Sequence, residues 1–304
     1  MNINQLSLRE VCRRLADEGL RMPCGPFNVR IRSPLPHLAD VLHGSYGDFP
    51  ISDDADYVDF EVLLKAPNLL RRFFRPQVSL SCDGRVPFKP LPLDQAYPML
   101  EWGLNWVISS HAHGFLVIHA AVVEKNGRAL ILAADPGSGK STLCAALVHQ
   151  GWRLLSDELA LVDRENGTVH AISRPISLKN TSIDIIRSFG RDVELSPTCH
   201  DTAKGSIAHM KPPAVSVAAM GVPATPALVV FPKYVPEKPM FSEDVGSAHA
   251  FLEIARHAFN LSVLAGDGFE AIARLIDEVR VRRISYASLA QVIPEIERLW
   301  QEVP

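Results

Sequence analysis

Helical and strand periodicities succeed one another along the N-terminal third of the chain. Apolar residues recur at helical spacing over residues 5–20, and a second helix is predicted over 35–46, after Pro34. Alternation of apolar and polar positions predicts strands over 27–31, 57–62 and 77–81, the last followed by an Asp-Gly turn at 83–84. The pattern predicts a smaller α+β module over residues 1–100. Its proline-rich end, 87–98, is interpreted as a linker or an irregular crossing segment.

The pattern of the remaining residues, 101–304, predicts an α/β domain. A helix over 99–110 leads into apolar runs at 115–119, 121–124 and 129–134, with an Asn-Gly turn that predicts a hairpin. A helix over 141–150 and strands over 153–156, 159–163 and 168–172 follow. Strands are also predicted over 227–231 and 279–286, and helices over 245–258, 268–278 and 287–301. The prolines of 212–239 fit either a mobile, acceptor-facing segment or a buried structural loop.

Composition and charge exclude several classes of protein. With 47% hydrophobic and 21% charged residues, the chain of 304 residues is not disordered, collagen-like or coiled-coil. A net charge of −3 gives no sign of the positive charge that nucleic-acid binding needs. No stretch of the sequence is long and apolar enough to predict a membrane span. Five cysteines without a C-x-x-C pair argue against zinc, and no signal peptide is evident. We therefore expect a cytoplasmic protein that binds neither nucleic acid nor zinc.

One segment carries most of the candidate chemistry. It lies between a predicted strand and a predicted helix, the context that a phosphate-binding P-loop requires, and its nucleotide-binding residues are Asp135, Pro136, Gly137, Ser138, Gly139, Lys140, Ser141 and Thr142. Backbone N–H groups of such a loop surround a phosphate, the lysine brings a positive charge to it, and the serine hydroxyl binds Mg²⁺. Ala134 replaces the first glycine of the strict pattern. The segment predicts binding of ATP with Mg²⁺, and a glycine-rich turn that caps a helix is the alternative.

An acidic pair follows the next predicted strand. Asp157 comes 17 residues after Lys140, a spacing that fits one helix, a turn and a returning strand, and Glu158 is adjacent. Carboxylates at that strand end would lie beside the phosphates, where they can bind Mg²⁺ or accept a proton. The alternative is a helix cap or a solvated turn. His119 precedes Lys140 by 21 residues and by itself fits a hydrogen-bonded core histidine. His111 and His113 are close by in sequence, so position alone does not single out His119.

These motifs together resemble the catalytic domain of the HPr kinase/phosphorylase superfamily. The resemblance rests on His119-Ala120-Ala121, on residues 134–141, on Gly151-Trp152-Arg153-Leu154 and on the acidic pair. It is closest to the HPr-kinase-related group of the kinase A type, through Arg174-Pro175-Ile176-Ser177-Leu178-Lys179-Asn180, Lys211-Pro212 and the region 34–46. The specific motifs cover residues 115–180.

The resemblance implies a P-loop catalytic domain related to phosphoenolpyruvate (PEP) carboxykinases and a kinase that uses ATP and Mg²⁺. Asp157 would be the catalytic base, Lys140 would neutralise the phosphates, and His119 would lie close to the transferred phosphate. Ser141 and Glu158 would be the metal ligands. The partner would be a hydroxyl-bearing acceptor, and the hexamers of established members leave a homo-oligomer open.

The chain also departs from the pattern of that family. Glu158 stands where those enzymes have aspartate, and the Glu-x-Arg-Gly-Leu-Gly signature is absent, with Ser173-Arg174-Pro175 near its place. The N-terminal 100 residues are the expected place for acceptor recognition. Arg174 and Lys179 are candidates for phosphate or acceptor contacts, with solvated strand-end charges as the alternative.

Three functions are compatible with these residues. The first is a kinase that transfers the γ-phosphate of ATP to a hydroxyl of a peptide, protein or small molecule. The second is a P-loop ATPase whose acceptor is water. The third is a nucleotide-sensing module without phosphotransfer. The acidic pair favours the first.

Overall fold

The computed structural model describes residues 1–52, 57–190 and 192–303. In these ranges the chain is a mixed α and β fold with three separate sheets. The N-terminal elements are α1 (Leu8–Ala16), β1 (Leu20–Cys24), β2 (Phe27–Arg32), α2 (Pro36–Ser45), β3 (Phe60–Lys65), α3 (Leu69–Phe73), β4 (Gln77–Cys82), β5 (Leu91–Pro92) and α4 (Ala96–His111). Their strands form a five-stranded sheet in sequence order, parallel between β2 and β3 and antiparallel elsewhere.

The following elements build two more sheets. They are β6 (Phe115–Lys125), β7 (Arg128–Ala133), α5 (Lys140–His149), β8 (Arg153–Ser156), β9 (Leu159–Asp163), β10 (Val169–His170), β11 (Ile176–Lys179), α6 (Thr181–Phe189), β12 (Cys199–Thr202), β13 (Gly205–Met210), α7 (Ala214–Ala218), β14 (Thr225–Tyr234), β15 (Phe241–Asp244), α8 (Ser247–His257), α9 (Leu261–Leu264), α10 (Gly266–Glu278), β16 (Arg280–Tyr286) and α11 (Leu289–Glu302).

The largest sheet sets the position of the predicted P-loop. Its order is β10-β9-β6-β7-β14-β16-β15, and β8 also pairs with β6. Strand β14 runs parallel to both β7 and β16. The carboxyl ends of these three strands therefore lie at one edge, which is where ligands bind in open α/β sheets. The loop that follows β7 begins at this edge.

The smallest sheet brings distant parts of the sequence together. Strand β13 lies between β11 and β12 and is antiparallel to both. In this register Ser177 of β11 is directly opposite His209 of β13. Residues opposite each other in antiparallel strands have side chains on the same face, so these two side chains are neighbours.

Two clusters of buried apolar side chains support the sheets. One surrounds α5 and α11 and contains Leu147, Trp152 and Trp300. The other extends from the N-terminal sheet into the large sheet and includes both Leu42 and Leu116. Helix α4 runs across residues 100 and 101, where the sequence predicted a domain boundary. The division into 1–100 and 101–304 stays a prediction.

Most predicted elements are confirmed within one to three residues. The hairpin of β6 and β7 has its turn at Asn126-Gly127, and both residues have positive φ. Helix α5 ends before Gly151, whose φ of 92° is left-handed and matches the predicted C-terminal stop. The predicted mixture of helices and strands is correct for the described residues.

Several predicted elements are wrong in extent. The helix predicted over 5–20 begins at Leu8, because Ser7 caps it by accepting a hydrogen bond from the Glu10 N–H, and it ends at Ala16. Gly19 then adopts a φ of 86°, and Leu20 begins a strand instead. The runs 115–119 and 121–124 form one strand, β6, because its residues pair continuously with β7, β8 and β9.

The start of β3 differs from the prediction, and the proline-rich region 212–239 is partly buried. Strand β3 begins at Phe60, whereas 57–62 was predicted. Asp59 instead accepts a hydrogen bond from the Asn28 N–H outside the ladder. In the second region Val217 and Met220 are buried, and the Ala219 and Val222 carbonyls accept hydrogen bonds from Arg153. These contacts match the buried structural loop around residues 216–220, whereas residues 233–239 are exposed apart from half-buried Val235.

No described helix is both long and apolar enough to cross a membrane.

Candidate functional site

The loop between β7 and α5, where the sequence predicts phosphate binding, contains two glycines with left-handed backbone. Gly137 and Gly139 have φ values of 84° and 88°, in the left-handed region that favours glycine. A Cβ on Gly139 would lie 2.6 Å from the Tyr286 hydroxyl oxygen, so this position also needs glycine for space. The Tyr234 N–H donates to the Ser138 carbonyl at 2.8 Å, which ties the loop to the end of β14. Ala134 has no left-handed φ, so alanine fits there without backbone strain.

Lys140, the first residue of α5, is buried without a hydrogen-bond partner. Its exposed fraction is 6%, and its Nζ atom contacts no acceptor among the described residues. Burial lowers the pKa of Lys140, and the carboxylates of Glu158 and Asp157 oppose that shift. A buried ammonium with three unused N–H donors is costly unless a ligand pairs with it. The helix N-terminus at the same place adds partial positive charge, and together they favour an anion.

Asp157, directly after β8, is held by one oxygen and leaves the other without a partner. The Ser177 N–H donates to Asp157 Oδ2 at 2.9 Å. Asp157 Oδ1 is buried and has no hydrogen-bond partner within the described part of the chain. Burial and the neighbouring Glu158 carboxylate raise the pKa of Asp157 to about 6, against the opposing effect of Lys140 and Lys179. The group is mainly ionised at neutral pH and is much more basic than an ordinary aspartate.

Glu158 lies between two predicted site residues. His119 Nε2 is 3.0 Å from Glu158 Oε2, and Lys179 Nζ is 3.6 Å from Glu158 Oε1. Burial favours the protonated acid, but the His119 hydrogen bond and the charges of Lys179 and Lys140 outweigh it and hold the pKa of Glu158 well below its usual range. Because this carboxylate can only accept, His119 Nε2 carries the proton and donates to it. The structure thus brings together His119, Glu158, Lys179, Asp157 and Lys140.

Arg174 also lies near Asp157, but its charge is already compensated. It is 7% exposed, and its guanidinium donates to Glu101 Oε2 at 2.9 Å and to the side chain of Asn105. Tyr46 donates to the other Glu101 oxygen at 2.6 Å. These contacts join α2, α4 and the segment before β11, so Arg174 connects the N-terminal elements to the site.

The remaining residues of the predicted nucleotide-binding loop differ in exposure. Asp135 and Pro136 are exposed, Ser138 is half-buried, and Ser141 and Thr142 are half-buried in the first turn of α5. Asp135 pairs with Arg256 of α8 at 3.0 Å. The Ser138 hydroxyl is another buried oxygen without a hydrogen-bond partner in the described ranges.

The oxygen atoms at the site include possible ligands for Mg²⁺. The described residues contain no cluster of three or more His, Cys, Asp or Glu able to enclose a metal ion. Mg²⁺ at phosphate sites is usually held by one or two carboxylates together with the phosphates, so a full cage is not required. The Glu158 carboxylate and the Ser141 hydroxyl, the two predicted metal ligands, are oxygen donors of the right kind. The residues present therefore fit Mg²⁺ bound jointly with a nucleotide.

The site also contains residues that the sequence did not predict. A small cavity beside Asp157 is also lined by Glu101, Trp102, Ser177 and His209. The Ser177 hydroxyl and His209 Nε2 are buried and lack hydrogen-bond partners among the described residues. Nothing in the local sequence marks His209, since only the pairing of β11 with β13 brings it to the site.

The chain shows limited similarity to known proteins. Residues 95–182 match the model of a family described as "SynChlorMet cassette protein ScmC", which is less than a third of the chain. No curated protein matches. Among solved structures, the HPr(Ser) kinase/phosphatase from Coxiella burnetii is similar at 14% identity, over 61% of this chain and 98% of that chain, with a TM-score of 0.26. Membership of the superfamily that the motifs resemble therefore stays a prediction.

Proposed function

We propose that this protein is a kinase that binds ATP with Mg²⁺ and transfers the γ-phosphate to a hydroxyl of a peptide, protein or small-molecule acceptor. The observation that carries the proposal is a pair of buried charged atoms without partners, Lys140 Nζ and Asp157 Oδ1. Each affects the pKa of the other residue, so they lie in one electrostatic environment. A cation for phosphate and a basic carboxylate for a hydroxyl proton are the two groups that phosphoryl transfer needs.

The residues of the loop would bind and orient the nucleotide. The backbone N–H groups of 137–142 would surround the β-phosphate, which the left-handed glycines would allow to approach closely. Lys140 would place its ammonium against the phosphate oxygens and so gain the hydrogen-bond partner that it lacks. Ser141 and Glu158 would hold Mg²⁺, which would supply further positive charge to the phosphates.

Asp157 would act as the base. The acceptor oxygen forms a bond to the γ-phosphorus, the bond from that phosphorus to the bridging oxygen breaks, and ADP leaves with the electron pair. The acceptor's proton passes to Asp157 Oδ1, while the Ser177 N–H holds the other oxygen at 2.9 Å. With a pKa of about 6, Asp157 is ionised at neutral pH and still basic enough to take that proton.

His119, Glu158 and Lys179 would keep the charges of the site in place. Glu158 is ionised and accepts from His119 at 3.0 Å, which fixes the orientation of both side chains. Lys179, 3.6 Å from Glu158, adds a second cation beside the acidic pair. Positioning and electrostatic stabilisation of this kind supply most of the rate in phosphoryl transfer.

The proposal is tested by following the γ-phosphate. Purified protein is incubated with γ-labelled ATP, Mg²⁺ and an extract of the source organism, and label is tracked into protein, peptide, small-molecule and free-phosphate fractions. We expect label in one acceptor fraction, and none with Lys140→Met. Lys125→Met is the matched control, because Lys125 pairs with Glu297 away from the loop. Label only in free phosphate would indicate an ATPase, and ATP binding without any loss of label would indicate a sensing module.

A further inference from the structure

A second cavity adjoins the site on the far side of His209. Its volume is about 290 Å³, at the small end of the range for ligand pockets. It lies between α2, the start of α4 and β12, and His209 lines both this cavity and the small one beside Asp157. Asp94, His200 and Asp201 on its lining are exposed, so the cavity opens to solvent.

His209 is a buried polar side chain at the inner wall of this cavity. The side chain is 1% exposed, and its Nε2 has no hydrogen-bond partner in the described residues. His37 Nε2, on the α2 side, is a second buried nitrogen without a partner there. Burial and the nearby charges of Arg174 and Lys179 lower the pKa of His209 to about 3, so the ring is neutral. Unsatisfied buried nitrogens are uncommon in native proteins and point to a missing ligand or water.

The position of His209 connects this cavity to the proposed base. His209 lies directly opposite Ser177 in the β11–β13 pair, and the Ser177 N–H holds Asp157. A ligand that contacts His209 therefore contacts the cross-strand neighbour of Ser177, and the Ser177 N–H orients Asp157.

The charges on the lining indicate what the cavity would bind. Asp94 and Asp201 are its carboxylates, and its described lining contains neither lysine nor arginine. The Cys199 thiol also lines the cavity, and its pKa is raised mainly by burial and further by these two carboxylates. The negative field of the two carboxylates therefore extends into the cavity. Such a lining favours a ligand that donates hydrogen bonds and carries positive charge.

We propose that this cavity, bounded by α2, the start of α4 and β12, is the acceptor site, and that it takes a hydroxyl-bearing compound with a cationic ammonium group. The ammonium lies near Asp94 and Asp201, and His209 is the polar contact at the inner end. The acceptor role rests on the proposed kinase function. Two sources fit this chemistry, an amino sugar and a peptide with a serine beside a lysine.

Cys199 offers a direct readout of occupancy that needs neither ATP nor turnover. Its alkylation by iodoacetamide is followed by mass spectrometry in the full chain, with half-buried Cys12 of α1 as the internal control. The probes are glucosamine against glucose, and seryl-lysine against seryl-norleucine. We expect one or both cationic probes to slow Cys199 alkylation at least fivefold without affecting Cys12, and the neutral probes to have no effect. Equal behaviour of each cationic and neutral pair would overturn the proposed ligand chemistry.

Two variants connect the cavity to phosphotransfer. Asp94→Asn with Asp201→Asn changes exposed side chains only and should weaken the cationic probe about tenfold. Val41→Trp should fill the cavity and abolish labelling of the acceptor while ATP binding persists. Unchanged acceptor labelling in both variants would overturn the acceptor role. If the unmodified protein transfers no phosphate, the kinase proposal fails by itself, and alkylation still decides whether the cavity binds the cationic compound.

Discussion

The backbone N–H of Ser177 donates a hydrogen bond to Asp157 Oδ2 across 2.9 Å. The donor belongs to β11 in the smallest sheet, and the acceptor follows β8 of the largest sheet. One carboxylate oxygen is thereby fixed, while Oδ1 is left without a partner among the described residues. The contact orients the proposed base and places it beside Lys140.

The pKa of Asp157 should respond to its two charged neighbours in opposite directions. In metal-free protein, a carbon-13 titration of the aspartate carboxyls should give a midpoint near 6, because burial and Glu158 raise the pKa. Glu158→Gln removes a negative neighbour and should lower the midpoint, and Lys179→Met removes a positive neighbour and should raise it. Exposed Asp184 serves as the internal control. Shifts of the same sign in both variants would contradict the proposed electrostatics.

Asp157→Asn should stabilise the fold at neutral and alkaline pH. The folded-state pKa of Asp157 is raised above its unfolded value of 3.8, so the ionised group costs stability as pH rises through about 6. The neutral amide avoids that cost, and we expect a gain of about 1–3 kcal/mol at pH 8 that shrinks at pH 5. Urea denaturation at the two pH values measures the difference. A variant less stable than the parent protein at pH 8 would refute this explanation.

Arg174→Ala should destabilise the protein strongly. It leaves the buried carboxylate of Glu101 without its cation, a change that typically costs about 3–5 kcal/mol. Arg187→Ala is the matched control, since Arg187 pairs with Asp184 at the surface and should contribute under about 1 kcal/mol. Denaturant midpoints of the two variants give the comparison. Equal losses in the free energy of unfolding would show that the buried pair stabilises the fold no more than the surface pair does.

Gly139→Ala should weaken ATP binding more than Gly137→Ala. Both glycines have positive φ, but only at Gly139 would a Cβ lie 2.6 Å from the Tyr286 hydroxyl oxygen, while Gly137 faces open space. Adding Tyr286→Phe to Gly139→Ala removes that oxygen and should restore part of the affinity. Calorimetric titration with ATP measures each step. No recovery in the double variant would place the defect in backbone strain alone.

The local parts of this site follow from the sequence. A strand, a glycine-rich loop and a helix are adjacent along the chain, so the arrangement of β7, the loop and α5 is predictable from its own residues. The acidic pair is found by its spacing, because one helix and one returning strand separate it from Lys140. The hairpin at Asn126-Gly127 depends on a two-residue turn with positive φ, which those residue types favour.

The parts that escaped prediction depend on contacts between distant segments. Strands β11, β12 and β13 are short, and their pairing brings His209 opposite Ser177 across 32 positions of sequence. The bond from Arg174 to Glu101 spans 73 positions, so its structural role is invisible to local pattern. Leu20 continues a helical periodicity, but the left-handed Gly19 before it turns the chain into β1. Long-range pairing therefore decides these features, whereas propensity and motif decide the others.

The most direct test of phosphotransfer compares Asp157→Asn with the unmodified protein. Both are given γ-labelled ATP, Mg²⁺ and the acceptor fraction, and the initial rate of label transfer is measured beside the Kd for ATP. We predict a loss of transfer of about 10²-fold or more, with ATP affinity retained, because the loop proposed to bind the phosphates is unchanged. Undiminished transfer by Asp157→Asn would contradict the role of Asp157 as the base, and label released only as free phosphate by the unmodified protein would contradict the kinase.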